Sequence, residues 1–268
     1  MTIFQALLLG IVQGATEFFP ISSSAHLRVG KWLLGIPDGE QLLYFDLICH
    51  AGTLLALILY LRKEIGTVLR SGRQIALFTL GLLPLVPGYF LLKPLRVALS
   101  DPSYLGYFLL LTGALLFAAT RKQEVLQVAS GGETGGHSFT QKWSHVLWIG
   151  AMQAMALIPG ISRSGSTIAA ARFCGWDWVQ AARFSFLLAV PAILGGECLE
   201  TWKLIRGTSE AAGAVVSWGS YAAGFAASFC VGLVAVRAMF WVYEKAKVRP
   251  FAWYCFGFGL LTLAIFHG

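Results

Sequence analysis

Long apolar runs separated by short polar gaps make up most of the chain. Six of them, 41–61, 75–93, 104–120, 178–203, 214–243 and 251–267, approach the roughly 20 residues that a membrane-spanning helix needs. None shows the strict alternation of a barrel strand. In lipid, backbone polar groups must be satisfied within the segment, so each run predicts a helix. Two further apolar stretches, 1–29 and 144–175, are interrupted. Pro20 is followed by Ile21, Ser22, Ser23 and Ser24, and Pro159 and Gly160 by Ile161, Ser162, Arg163 and Ser164. Proline lacks a backbone donor and clashes with the preceding turn. A helix broken at membrane depth must be buried in protein or line a polar cavity. Both stretches therefore predict re-entrant helix pairs.

The two interrupted stretches resemble each other. A shift of 140 positions aligns Gly10 with Gly150, Gln13 with Gln153, Ile21 with Ile161, Ser22 with Ser162 and Ser24 with Ser164, five identities in fifteen positions. This predicts an internal repeat, with halves of about 1–120 and 144–268 joined by a polar loop 121–143 inside one integral membrane domain of 268 residues. The run SGGETGG (130–136) reads as a flexible connector.

Composition agrees with a bilayer as solvent. Hydrophobic residues make up 57% of the chain and charged residues 12%, against about 25% charged in soluble domains. The net charge of +7 suggests nucleic acid only until the basic residues are located. Most of them sit in short gaps between apolar runs, with no basic stripe interleaved with aromatics, so no nucleic-acid partner is expected. The five cysteines form no CxxC and predict neither a disulfide framework nor a zinc site. Residues 1–10 lack the basic region of a signal peptide.

Loop charge orients the chain. Arg62, Lys63, Arg70 and Arg73 lie in 62–74, Arg121, Lys122 and Lys142 in 121–143, and Lys245, Lys247 and Arg249 in 244–250. The gaps 30–40, 94–103 and 204–213 are poorer in Lys and Arg and hold Asp38, Glu40, Asp101 and Glu210. The positive-inside rule places the first set in the cytoplasm. Three crossings then separate the hairpins and invert the second against the first. Inverted repeats with broken helices commonly carry a site near the midplane at the repeat interface.

Ionisable residues in apolar segments are functional candidates by default. Glu17 precedes Pro20 and shares a helix face with Gln13 four residues earlier. Ser22, Ser23, Ser24 and His26 surround the same break. A serine hydroxyl becomes a nucleophile only beside a base, which Glu17 or His26 could supply. In the second break Arg163, whose planar fork suits phosphate oxygens, stands among Ser162, Ser164, Ser166 and Thr167 at a new helix N-terminus, itself an anion site. Plainer readings exist: Glu17 as a helix cap, Arg163 as its counter-charge. Asp46 and His50, spaced by four, could help hold a divalent cation or merely anchor an interface. Arg172 and Arg183 read as interfacial residues that snorkel.

QGATEFFPISSSAH (13–26), PGISRSGST (159–167) and FSFLLAVPAILGG (184–196) resemble signature segments of the BacA-type undecaprenyl-diphosphate phosphatases, and the resemblance runs over essentially the whole chain. It implies an enzyme of the bacterial cytoplasmic membrane that hydrolyses undecaprenyl diphosphate to the monophosphate and inorganic phosphate, recycling the cell-wall lipid carrier in a process tied to bacitracin resistance. It also implies a divalent cation, Mg²⁺ or Ca²⁺. Its motif positions fall on Gln13, Glu17, Ser23 and His26, and on Ser162, Arg163, Ser164 and Thr167. Many members carry Glu where Gln13 stands, Glu where Asp46 stands and Gln where His50 stands.

These readings predict an all-α polytopic membrane protein with six spanning helices and two re-entrant hairpins. The expected catalytic residues are Glu17, Ser23, His26 and Arg163. The expected substrate contacts are Gln13, Ser22, Ser162, Ser164 and Thr167. The cation would fall to Glu17, with Gln13, Asp46 and His50 as further candidates. The expected partners are a polyprenyl diphosphate and membrane lipid, and a homodimer is left open. The competing reading is a lipid-carrier flippase or another secondary transporter.

Overall fold

The computed structural model describes residues 1–36, 42–129, 142–206 and 216–267, the side chains of 122–129 and 204 excepted. The connector at 130–136 and the acidic residues Asp38, Glu40 and Glu210 lie outside the described residues. Every regular element described is helical: α1 (Ile3–Thr16), α2 (Ser23–Leu33), α3 (Leu43–Tyr60), α4 (Arg62–Leu69), α5 (Gly72–Leu82), α6 (Leu85–Leu91), α7 (Lys93–Ala98), α8 (Leu105–Ala129), α9 (Trp143–Met155), α10 (Arg163–Phe173), α11 (Trp178–Ile205), α12 (Trp218–Glu244) and α13 (Arg249–His267). Among the described residues, six stretches are long and apolar enough to cross a bilayer: Leu43–Tyr60, Gly72–Leu91, Pro102–Arg121, Trp178–Lys203, Trp218–Glu244 and Arg249–His267. Each coincides with one of the apolar runs.

The connections differ from simple loops. The gap after the first span holds α4, and the gap after the second holds α7 and a 3-10 turn, Pro102–Tyr104. α8 continues past Arg121 to Ala129, into the segment expected to be a loop. The second span is itself interrupted between α5 and α6. Pro84 has no N–H to reach back into α5, and the Leu83 N–H is shared between Thr79 O at 3.0 Å and Leu80 O at 3.3 Å.

The two interrupted stretches each form a pair of short helices in mutual contact, α1 with α2 and α9 with α10. α1 opens with a capping box, in which Thr2 Oγ1 accepts from the Gln5 N–H and Gln5 Oε1 accepts from the Thr2 N–H. The four helices have 14, 11, 13 and 11 residues. At about 1.5 Å per residue each is only about 17–21 Å long, short of the roughly 30 Å hydrocarbon core.

The chain packs as two compact units. One comprises Met1–Phe19, Ser23–Thr67 and Phe186–Met239. Its core joins Ala6 and Leu9 of α1, Leu27 of α2, and Phe45 and Cys49 of α3. A Cβ on Gly10 would lie 2.5 Å from the Gly224 carbonyl oxygen, so α1 meets α12 backbone to backbone. The other unit comprises Pro20–Ser22, Val68–Ser185 and Phe240–Gly268. Here α8 lies along α13, and a Cβ on Gly106 would fall 2.6 Å from the Gly259 oxygen and 2.4 Å from Leu263 Cγ. Lipid tails are as apolar as leucine, so helices in a bilayer are held by such close small-residue contact more than by hydrophobic burial. α9 is held against α5, α6 and α10, and α10 against α8.

Candidate active site

In the first unit the site is built where α1 stops. Glu17 caps α1, its N–H bonded to Gln13 O at 3.0 Å, and its side chain is buried. The spacing of four places both side chains on one face, and Gln13 Nε2 donates to Glu17 Oε2 at 3.0 Å. Beyond the break, Ser23 opens α2, and its Oγ donates to the same oxygen at 2.7 Å. His50 of α3 presents Nε2 at 3.8 Å from that oxygen. Gln13, Ser23 and His50 thus converge on one carboxylate oxygen. The Ser23–Glu17 bond is short and charge-assisted, the kind that polarises an O–H toward a base.

The His50 ring is held through its other nitrogen. Its Nδ1 lies 2.8 Å from the backbone oxygen of Asp46. A carbonyl only accepts, so Nδ1 is the donor in that contact and Nε2 is the nitrogen turned toward Glu17. The Asp46 carboxylate is engaged elsewhere, with Oδ2 2.6 Å from Lys31 Nζ. His26 is buried on α2, where its spacing of three from Ser23 gives it the same helix face. Ser22 is buried at φ 68°, in the left-handed region that costs a non-glycine residue energy.

In the second unit the break between α9 and α10 is fixed by hydroxyls. Gly160 takes φ 95°, a turn open to glycine. Ser162 then caps α10: its Oγ accepts from the Gly165 N–H at 3.1 Å. The Ser162 N–H donates to Thr112 Oγ1 of α8 at 3.2 Å, and the Ser162 and Ser164 hydroxyls lie 3.3 Å apart. Thr167 Oγ1 donates to the Arg163 carbonyl at 2.8 Å and lies 2.6 Å from Ser185 Oγ of α11. Because the Thr167 proton goes to the carbonyl, Ser185 is the donor to Thr167. Arg163 is the first residue of α10, half-buried, at the positive end of the helix. This preformed loop suits an anion.

Several neighbours of the candidate residues were not foreseen. Thr112 comes from α8, with no local pattern to mark it; Lys31 follows Ser23 on α2, and Ser185 lies within FSFLLAVPAILGG, but neither was singled out there. Glu197 did carry a signal, being an ionisable residue inside an apolar span. It is half-buried on α11, and its carboxylate is in electrostatic range of His50 and Glu17. Arg172 corrects an expectation: it does not snorkel but is buried, donating to the Trp176 carbonyl and lying 4.6 Å from the Trp178 ring centroid. Arg183 is exposed.

Among the described residues, no three His, Cys, Asp or Glu side chains form a group able to hold a metal. The oxygens here that could share a cation with substrate phosphates, as Mg²⁺ sites commonly do, are those of Glu17 and Gln13. Gln13 Oε1 is buried beside Glu17 with no hydrogen-bond partner among the described residues, as an oxygen reserved for such a ligand would be.

Comparison with known proteins places this geometry in context. The family described as Bacitracin resistance protein BacA matches residues 6–261. An undecaprenyl-diphosphatase of Protochlamydia amoebophila is 40% identical over 269 residues, covering 100% of both chains. Proteins with the same description from Desulfosudis oleivorans and Parabacteroides distasonis are 38% and 36% identical, covering 97% and 98% of each chain.

Proposed function

The chain belongs to the bacitracin resistance protein BacA family, and we propose from that membership that it hydrolyses undecaprenyl diphosphate to undecaprenyl phosphate and inorganic phosphate as a multi-pass protein of the bacterial inner membrane. The observation that carries the chemistry is the 2.7 Å hydrogen bond from Ser23 to a buried glutamate. The two short helix pairs act as re-entrant hairpins, a reading supported by their length and by the Pro-marked breaks.

Ser23 Oγ attacks the terminal phosphorus while Glu17 Oε2 takes its proton. The bond from phosphorus to the bridging oxygen breaks, and undecaprenyl phosphate leaves. The phosphoserine is then hydrolysed by water, which releases phosphate and restores the hydroxyl. His26, on the Ser23 face of α2, supplies a proton to the leaving oxygen and takes one from the attacking water. Arg163 and the first-turn N–H groups of α10 hold phosphate oxygens; an arginine fork gives two parallel bonds where a lysine gives a point charge. Ser22, Ser162 and Ser164 line the two breaks, and Thr167 fixes the carbonyl of Arg163. Glu17 and Gln13 Oε1 are the atoms that would hold a Mg²⁺ or Ca²⁺ ion, which would neutralise charge on the phosphates.

Purified protein in detergent should release phosphate from undecaprenyl diphosphate, and protein in vesicles should do so without net movement of the lipid. Movement of intact diphosphate with no phosphate released would replace this reading with the transporter one.

A further inference from the structure

The buried stripe of α9, formed by Val146, Ile149, Gly150, Gln153 and Ala154, contains one polar side chain. Gln153 is 2% exposed, and neither Nε2 nor Oε1 has a hydrogen-bond partner among the described residues. Native proteins rarely leave a buried amide in this state, because desolvation goes uncompensated at both ends. Gln13, which a shift of 140 positions aligns with Gln153, shows the contrast: its Nε2 donates to Glu17 four residues on. Four residues beyond Gln153 stands Leu157, which offers nothing. The loop that follows is built in advance, with the Ser162 N–H held by Thr112 and the Ser162 hydroxyl occupied by Gly165. Gln153 therefore stands in the last turns of the helix entering a rigid anion-suited loop, with its whole hydrogen-bonding capacity in hand.

We propose that Gln153 is a further substrate-binding residue, whose Nε2–H donates to a phosphate oxygen of the diphosphate held at the Ser162–Arg163–Ser164 loop. An amide suits this ligand at both ends. Phosphate oxygens accept from Nε2, and a partly protonated phosphate also carries a P–OH that Oε1 can accept. Arg163 supplies charge, and Gln153 fixes orientation from the opposite side of the break. This inference rests on the phosphatase reading and assigns a binding role to a residue which that reading leaves unused.

The experiment compares Gln153→Leu and Gln153→Glu with the parent chain, measuring kcat and KM for phosphate release, Tm, and the rise in Tm that inorganic diphosphate with Mg²⁺ produces. For Gln153→Leu, kcat/KM should fall about 10- to 100-fold, the loss expected for one hydrogen bond to an anion. Its Tm should be equal or higher, since an unpartnered amide gives way to an apolar group. Gln153→Glu, with a negative charge and no donor, should lose more activity and most of the diphosphate-induced rise. A kcat/KM within about twofold of the parent in Gln153→Leu, or an undiminished diphosphate-induced rise, overturns the proposal. If Gln153→Leu does not fold, Gln153→Met is judged by the same two criteria. The phosphatase reading fails separately: a parent chain that releases no phosphate refutes it, while the diphosphate-induced rise still decides the role of Gln153.

Discussion

Replacing Glu17 with Gln tests the site with little disturbance of its shape. Gln keeps an oxygen where Ser23 now donates at 2.7 Å and removes only the charge and the capacity to take a proton. General-base catalysis is worth about 10²–10⁴-fold, so Glu17→Gln should lower kcat by at least about a hundredfold, with Tm little changed. Gln13→Ala removes a donor that sits 3.0 Å from the same oxygen. A hydrogen bond to a charged group is worth about 1.5–3 kcal/mol, but only the part that differs between ground and transition states reaches the rate. The loss should therefore be about tenfold. Gln13→Glu sets two carboxylates at the position of this 3.0 Å contact, where like charges oppose each other until a cation offsets them. It should retain activity and reach half-maximal rate at a lower Mg²⁺ concentration. The assay is phosphate release against cation concentration for the three variants. A Gln13→Ala protein as inactive as Glu17→Gln would refute this division of labour, and a Glu17→Gln protein of near-normal rate would remove Glu17 from the chemistry.

Arg163→Lys should lose most of kcat/KM, about a hundredfold, because a point charge cannot reproduce a bidentate fork; near-normal turnover in a folded protein would take Arg163 out of the site. Gly106→Ala should destabilise by about 1–3 kcal/mol through overpacking against Gly259 and Leu263. Gly257→Ala, on the partner helix with open space around it, should be neutral or slightly stabilising, and equal Tm values for the two would refute the close-approach argument. In a chain free of its native cysteines, a single cysteine at Arg70 should react from the cytoplasmic side; labelling from outside would overturn the orientation drawn from loop charge.

The spans were legible because a bilayer admits few alternatives: an apolar run of the right length must be helical, and Leu43–Tyr60 or Trp178–Lys203 needs no partner to declare itself. The interruption at Pro84 was less legible, since proline does break helices but many spanning helices tolerate one; α11 runs unbroken through Pro191. The Gln13–Glu17 pair could be read from spacing alone, because an interval of four fixes a shared face. The convergence of Ser23 on Glu17 follows from the break between them. What joined them from elsewhere could not be read. His50 reaches Glu17 only because α3 lies against α1, and Asp46 is taken up by Lys31 of α2, so two residues that look equivalent in sequence have different neighbours. Likewise Thr112 fixes the Arg163 loop from α8 by a hydroxyl that no motif marks, and Ser185 does so from α11, where the segment 184–196 was noticed but not this contact.

The central claim, that Ser23 attacks phosphorus with Glu17 as its base, is tested most directly by the stereochemical course at the terminal phosphorus. The substrate is undecaprenyl diphosphate whose terminal phosphorus is made chiral with sulfur and oxygen isotopes, hydrolysed in isotopically labelled water. Attack by Ser23 followed by water involves two in-line displacements, so the account predicts net retention of configuration. Net inversion would mean a single attack by water and would contradict it.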